Sequence, residues 1–180
     1  MAVMAPSRML TRADLDALPQ DGLRHELIDG AFVMTPAPGF AHQSFAFALE
    51  RALHDAARGR DLVVVHAPFD VILGSNVVEP DILVAPRSVF TERDIPTAPA
   101  LIVEVRSPST AWLDEGRKRS LYEQSGVVHY WLADAQAPSI TVLELINGRY
   151  EPTAMATGDE VLTITRPFPI TVTPSRLARG

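Results

Sequence analysis

Leu101-Ile102-Val103-Glu104-Val105-Arg106 is an apolar strand with a carboxylate in its middle, and this stretch decides the fold. A second strand-like segment, residues 79–85, carries Asp81. Burying a carboxylate costs free energy unless a cation, a metal or several hydrogen-bond donors compensate it. We therefore expect Asp81 and Glu104 to lie side by side on neighbouring strands and to hold a hard divalent cation. Pairing of Glu104 with Arg106, two residues along the same strand face, is the simpler alternative.

Short segments rich in Val and Ile, separated by Pro or Gly, predict further strands around this stretch. We expect strands at 62–66, 69–73, 79–85, 101–105, 127–134 and 140–146, helices at 41–58 and 109–125, and tight hairpins at Asp29-Gly30 and Asn147-Gly148. This order favours an α/β (α+β) fold, a mixed β-sheet flanked by helices. We expect a flexible N-terminal tail over residues 1–10 and a single domain over residues 11–175.

The composition is that of a soluble globular protein, with 47% hydrophobic and 21% charged residues in a chain of 180. No apolar run is long enough to cross a membrane. The chain contains no cysteine, which fits a cytoplasmic location. A net charge of −6 opposes nucleic-acid binding, although carboxylates that hold a metal count as negative until the metal binds. We find no Gly-x-Ser-x-Gly elbow, Walker loop or HExxH spacing, which argues against serine-hydrolase, nucleotide-binding and zinc sites.

Lys118 is the only lysine of the chain, beside fifteen arginines. An amine can act on a water molecule, whereas a guanidinium cannot be deprotonated in a protein. On a regular helix, Asp114, Lys118 and Tyr122 share one stripe, which should face the sheet. An Asp114–Lys118 pair is either a plain i,i+4 ion pair or a device that directs the amine toward the strands.

A larger ordered set of residues resembles the Uma-two family of restriction-endonuclease-like proteins, a branch of the PD-(D/E)XK nuclease superfamily. The set comprises 25–30, 36–38 with His42-Gln43, 79–82, 103–110, Asp114, Lys118, Tyr122, Gly126-Val127 and 130–134. Asp81 and Glu104, separated by 22 residues, occupy the two acidic signature positions. Arg106 stands where the superfamily has lysine, so the resemblance implies that Lys118 takes over that role.

The resemblance implies a metal-dependent DNA endonuclease in which Asp81, Glu104 and Lys118 are catalytic. Mg²⁺, or Mn²⁺, would bind Asp81, Glu104 and the backbone carbonyl of Val105. Lys118 would position or deprotonate the attacking water. Glu26 is either an additional ligand near the metal or a surface acid of the hairpin.

Supporting roles fall to residues of the two predicted helices. His42 and Gln43 open the long helix, where His42 either contacts a phosphate or caps the helix end. Tyr122 is expected to be a core residue with a hydrogen-bonded hydroxyl.

One of Tyr130 and Trp131 should belong to the core, and the other should line an interface, which would suit a homodimer.

Two other functions stay open from the sequence. A binding or assembly module that keeps the nuclease fold without turnover would explain the acidic net charge. A metal-dependent hydrolase of another phosphate ester would use the same residues.

Overall fold

The computed structural model describes residues 8–19, 21–106 and 114–179, without the side chains of 114 and 115. The helices are α1 (Arg12–Asp16), α2 (Phe40–Ala57), α3 (Arg119–Gln124) and α4 (Pro174–Arg179), with a π-helical turn at Asp114–Lys118 and a 3-10 turn at Arg87–Val89. The strands are β1 (Arg24–Ile28), β2 (Ala31–Thr35), β3 (Leu62–His66), β4 (Asp70–Leu73), β5 (Asn76–Val78), β6 (Ile82–Pro86), β7 (Asp94–Ile95), β8 (Leu101–Arg106), β9 (His129–Asp134), β10 (Ser139–Ile146), β11 (Arg149–Thr157), β12 (Leu162–Ile164) and β13 (Ile170–Val172).

Six strands form the central sheet, in the order β11-β10-β9-β8-β6-β3. Strands β8 and β9 are parallel, and the other pairs of this sheet are antiparallel. A second sheet has the order β2-β1-β5-β4-β7, and β12 pairs with β13. The predicted fold class, a mixed sheet flanked by helices in one domain, is confirmed.

The two faces of β8 pack against different layers. Val103 and Val105 belong to the core cluster that includes α2 and α4, whereas Ile102 packs in the cluster that includes the second sheet and α3. Because side chains alternate along a strand, Glu104 shares the face of Ile102 and points toward the second sheet and α3. The acid in the middle of this apolar strand is therefore directed between the two sheets.

Both predicted hairpins are present, and their turn residues explain them. Asp29 and Gly30 have φ values of 52° and 69°, and Asn147 and Gly148 have values of 51° and 78°. Two successive residues with positive φ match the right-handed twist of the flanking strands, and Asn, Asp and Gly tolerate that conformation best. The first hairpin fixes β1 against β2, with Glu26 opposite Val33.

The structure differs from the sequence expectations at several elements. Strand β6 begins at Ile82, so Asp81 precedes the strand, directly after Pro80, which has no N–H for a ladder. The predicted loop of residues 86–99 contains the short strand β7. Of the predicted helix at 109–125, residues 107–113 lie outside the described part, 114–118 form the π-helical turn, and α3 follows.

Tyr130 and Trp131 are both fully buried, with 0% of their surface exposed. The expectation that one of them lines an interface is wrong, because both faces of the central sheet are covered at β9. Trp131 packs in the cluster with α2, and Tyr130 packs against Tyr122 with ring centroids 5.1 Å apart.

Most of the predicted N-terminal tail, residues 1–7, lies outside the described residues. The three residues after it are attached to the domain: the Leu10 N–H donates to the Gly30 carbonyl at 2.9 Å, and Arg8 pairs with Asp14 at 2.6 Å. In the described part of the chain, no helix has the length and apolar character that crossing a membrane would require.

Candidate active site

Three buried charged side chains meet between the sheets. Lys118 Nζ lies 2.9 Å from Glu26 Oε1 and 3.0 Å from Glu104 Oε1. The exposed fractions are 1% for Glu26 and 2% for both Glu104 and Lys118. The alternative in which Glu26 is a surface acid of the hairpin is therefore wrong, since its strand β1 belongs to a sheet that covers the site.

Each of the two carboxylates also accepts a hydrogen bond from a neutral donor. The Tyr122 hydroxyl donates to Glu104 Oε1 at 2.7 Å, and the Glu79 N–H donates to Glu26 Oε1 at 2.8 Å. Burial, followed by the negative charges of Glu104 and Glu26, raises the pKa of Tyr122 well above its usual value. Tyr122 thus stays a neutral donor, as expected for a core residue with a hydrogen-bonded hydroxyl.

Asp81 is held by donors from three separate elements. Arg24 Nη1 on β1 donates to Oδ1 at 3.0 Å, while His42 Nε2 on α2 and the Val105 N–H on β8 donate to Oδ2 at 3.0 and 2.8 Å. Burial alone would raise the pKa of Asp81. The hydrogen bond from His42 and the charge of Arg24 outweigh that effect and lower the pKa to about 2, so Asp81 is ionised.

Arg24 is a residue that the sequence reasoning missed. Besides Asp81, its Nη1 donates to the Glu79 carbonyl oxygen at 3.2 Å, and its Nε lies 3.9 Å from Glu79 Oε2. Arg24 and Glu26 are two residues apart on β1, so their side chains share one face of that strand.

Negative charge exceeds positive charge among the described side chains of this centre. The acids Glu26, Glu79, Asp81 and Glu104 face two basic side chains, Arg24 and Lys118. Burial, followed by the charge of Asp70, raises the pKa of Glu79 to about 7. With all four acids ionised, the centre would carry two uncompensated negative charges, the amount that one divalent cation neutralises.

A cleft beside α2 leads to Asp81. It has a volume of about 120 Å³ and is lined by Arg24, Pro38, His42, Gln43, Ala46, Phe47, Glu50, His66, Ala67 and Asp81. His42 does not cap α2, as the sequence allowed, because no side chain caps that helix end and His42 binds Asp81 instead. Gln43 is exposed and lines the cleft. His42 Nδ1 is buried and has no hydrogen-bond partner within the described residues.

The π-helical turn brings Lys118 to Glu104. Lys118 is the last residue of the turn, and Tyr122 follows on α3. Both side chains donate to the same oxygen of Glu104, so Lys118 and Tyr122 lie on the same side of the chain, as the sequence predicted for these two residues. Such turns are rare and frequently occur at functional sites. The predicted Asp114–Lys118 pair lies outside the described residues, because the Asp114 side chain does.

The donor chemistry of the site suits a hard divalent cation. Asp81, directly before β6, and Glu104, on the neighbouring strand β8, supply carboxylate oxygens. Mg²⁺ typically binds one or two protein carboxylates and keeps several waters. Within the ranges that the structure describes, no group of three or more His, Asp or Glu side chains is arranged to hold a metal ion. A cation at this site would therefore be coordinated by two carboxylate side chains, by a backbone oxygen and by water molecules.

These features define a nuclease-like α/β protein. The fold is similar to that of a solved structure described as "a putative nuclease belonging to DUF820" from Anabaena variabilis ATCC 29413. The TM-score is 0.73 at 16% identity, and the match covers 94% of this chain and 98% of the other. The chain belongs to the Uma2 family, described as "Putative restriction endonuclease", which matches residues 12–178. This confirms the family resemblance found in the sequence. No curated protein matches the chain.

Proposed function

We propose that the protein is a metal-dependent DNA endonuclease that hydrolyses phosphodiester bonds with Mg²⁺ or Mn²⁺. One observation carries this proposal: the buried carboxylates Asp81, directly before β6, and Glu104, on the neighbouring β8, belong to a centre with excess negative charge that also holds the only lysine of the chain. The family description and the nuclease fold of the similar structure support the same function.

The metal would bind Asp81, Glu104 and the Val105 carbonyl, with Glu26 as an additional oxygen nearby. When bound, it would lower the pKa of a coordinated water and stabilise negative charge on the phosphate. The hydrogen bond from the Val105 N–H fixes Asp81 relative to β8, which holds the two acidic positions in register.

Lys118 is assigned to position the attacking water rather than to deprotonate it. Its two neighbours at 2.9 and 3.0 Å are carboxylates, and nearby opposite charges stabilise the ammonium form. A lysine ammonium carries three N–H donors, the type of group that orients a water or contacts a phosphate oxygen. Tyr122 supports this arrangement by orienting Glu104.

Cleavage of supercoiled plasmid and of single-stranded DNA with Mg²⁺ or Mn²⁺ tests the function. We expect cleavage by the native protein and its loss in Asp81→Asn, Glu104→Gln and Lys118→Arg. Arginine keeps the charge, but its larger planar guanidinium cannot take the place of the compact ammonium between Glu26 and Glu104. Arg117→Lys is the matched control, because it exchanges the same two residue types at a neighbouring position of the same turn, where the Arg117 side chain is 36% exposed.

Thermal unfolding of each variant must accompany the assay, so that lost cleavage is not mistaken for lost fold. Full cleavage by well-folded Glu104→Gln would overturn the assigned site. No cleavage by the native protein with either metal would overturn the endonuclease.

A non-catalytic binding or assembly module is the second candidate. The observation that favours it is that Asp81 and Glu104 already have cationic partners within the protein. A ligand that binds only the folded state raises its stability. Mg²⁺ that leaves the melting temperature of the native protein unchanged, together with no cleavage of any nucleic acid, would support the module.

We further propose a homodimer that works in the cytoplasm. Two active sites suit double-strand cleavage, and a chain without cysteine suits a reducing compartment. Sedimentation equilibrium of the native protein tests the dimer, and a monomer at all concentrations would refute it.

A further inference from the structure

An exposed aromatic side chain stands at the entrance of the cleft that leads to Asp81. Phe47 on α2 is 60% exposed and is one of the residues that line the cleft. Isolated exposed apolar residues are common on protein surfaces and need no special explanation. Phe47 differs because the cleft it borders has Arg24, His42 and Asp81 among its other lining residues.

A cation adjoins the ring of Phe47. The Arg51 guanidinium carbon lies 5.9 Å from the ring centroid, in cation–π geometry. Arg51 is exposed and forms no ion pair with an acid of the described chain. Glu50, the acid that lines the cleft next to Phe47, lies 2.9 Å from His66, so Arg51 offers a positive charge to a phosphate backbone beside the cleft.

An exposed ring beside a cation is the combination with which proteins hold unpaired nucleic-acid strands. Bases stack on aromatic side chains while basic groups follow the backbone, and this stacking is tolerant of sequence. A paired base within a duplex has both faces covered by its neighbours, so it must be extruded before it can stack on a protein ring. The cleft of about 120 Å³ is too small to enclose a nucleotide, so the base would stack at its rim, where Phe47 is exposed.

We infer that the substrate is an unpaired DNA strand, one base of which stacks on Phe47 while Arg51 contacts its backbone. This inference rests on the proposed endonuclease function and specifies its substrate. Phe47 is then a specificity-determining residue, which favours single-stranded, frayed or extruded DNA over continuous duplex.

Fluorescence anisotropy in EDTA tests binding without cleavage. The probes are a labelled single-stranded DNA oligonucleotide and the same oligonucleotide in a duplex. We expect the native protein to bind the single strand more tightly, and Phe47→Ala to weaken that binding by about tenfold. Phe47→Tyr keeps a ring and should retain the affinity, whereas Phe47→Leu keeps only apolar bulk and should lose it.

Phe40→Ala is the matched control, because Phe40 is another exposed aromatic of α2, 88% exposed, but does not line the cleft. It should bind as the native protein does. Since both side chains are exposed, the variants should melt like the native protein.

The outcomes separate this inference from the function on which it rests. Native cleavage of DNA together with unchanged single-strand binding in Phe47→Ala would overturn the stacking role alone. Absence of both cleavage and binding for every probe would overturn the endonuclease and this inference with it. A native dimer that Phe47→Ala dissociates, with DNA binding unaffected, would assign Phe47 to a subunit contact and overturn the stacking role.

Discussion

At Lys118 the chain places its one amine between two carboxylates that have almost no access to water. Removing charges from water is costly, so a buried ion pair adds little net stability compared with apolar residues of the same volume. The cost of breaking such a pair is much larger, because the partners left behind are buried and uncompensated. Here one side chain compensates both Glu26 and Glu104.

Lys118→Ala should therefore destabilise the fold by about 3–5 kcal/mol, the range for a broken buried ion pair. Urea unfolding measured by circular dichroism gives the free energy of unfolding. Arg117→Ala at the neighbouring position removes a half-exposed pair with Asp29 and should cost at most about 1 kcal/mol. Equal costs for the two variants would contradict the central place of Lys118 in this network.

The sequence indicated candidate site residues where a residue type is unusual for its position or for the composition of the chain. Asp81 and Glu104 are acids beside apolar runs, and Lys118 is the single exception in an arginine-rich chain. Arg24 could not be singled out in this way, because it is one of fifteen arginines and its partner Asp81 lies 57 residues away. Its role depends on how the two sheets meet, which no local pattern records.

Among the elements, the two hairpins have the same turn chemistry but different surroundings. A Cβ atom added to Gly30 would lie 2.8 Å from the side chain of Met9, whereas one added to Gly148 meets nothing within 4 Å. Met9 belongs to the segment whose next residue, Leu10, donates to the Gly30 carbonyl. The first turn therefore also anchors the N-terminal segment.

Alanine at either glycine should destabilise the protein by about 1–2 kcal/mol, because an L side chain disfavours a positive φ. Gly30→Ala should cost more than Gly148→Ala, since Met9 must also move. Paired urea titrations measure the difference, and a larger cost at Gly148 would contradict the contact with Met9.

His129, at the start of β9, should make the free energy of unfolding depend on pH. Burial lowers the pKa of His129. The negative charge of Glu144 on β10 opposes this effect without cancelling it, and the positive charge of Arg166 lowers the pKa further. A lowered pKa means that the unfolded chain binds a proton first as the pH falls. The stabilising contribution of neutral His129 is thus complete above about pH 6.5 and is lost as the pH falls through the lower value of the folded state.

Melting temperatures of the native protein and of His129→Gln between pH 8 and pH 5 check this dependence, since that interval spans the ordinary histidine pKa of about 6.5. The native protein should lose more stability than His129→Gln on acidification. His54→Gln, at an exposed position of α2, should follow the native curve. Equal changes of melting temperature with pH in the native protein and His129→Gln would contradict the role of His129 in this pH dependence.

Covered strands were easier to predict than an exposed strand. Strands β8 and β10 lie inside the central sheet and appear within one residue of where the sequence placed them. No strand bounds were predicted for β11, which lies at the edge of the central sheet and is mostly exposed. Edge strands carry charges and proline, as β11 does with Glu151 and Pro152, so they lack the apolar pattern that marks a covered strand.

Over the whole molecule, α2 and α4 join distant parts of the chain into one core. Leu177 on α4 is 9% exposed and belongs to the same cluster as Phe45 on α2 and Val103 on β8. The last helix thus covers the face of the central sheet opposite to Glu104.

Leu177→Ala should destabilise the protein by about 2–5 kcal/mol through lost burial and the cavity left behind. Val161→Ala removes a 64% exposed side chain and should change the free energy of unfolding by less than about 0.5 kcal/mol. Guanidinium unfolding of both variants checks the contrast. A Leu177→Ala protein as stable as the native one would show that α4 is not part of the core.

The anchoring of Asp81 to three elements also has a consequence for biosynthesis. Its donors come from β1, α2 and β8, and the amine that compensates Glu26 and Glu104 follows only at residue 118. A nascent chain emerges from the ribosome with its N terminus first, and domains generally fold as units once their parts have emerged. A nascent chain that ends before the π-helical turn contains Glu26 and Glu104 but lacks Lys118, which pairs with both carboxylates. The buried centre is therefore completed late in synthesis, after the segment that carries Lys118 has emerged.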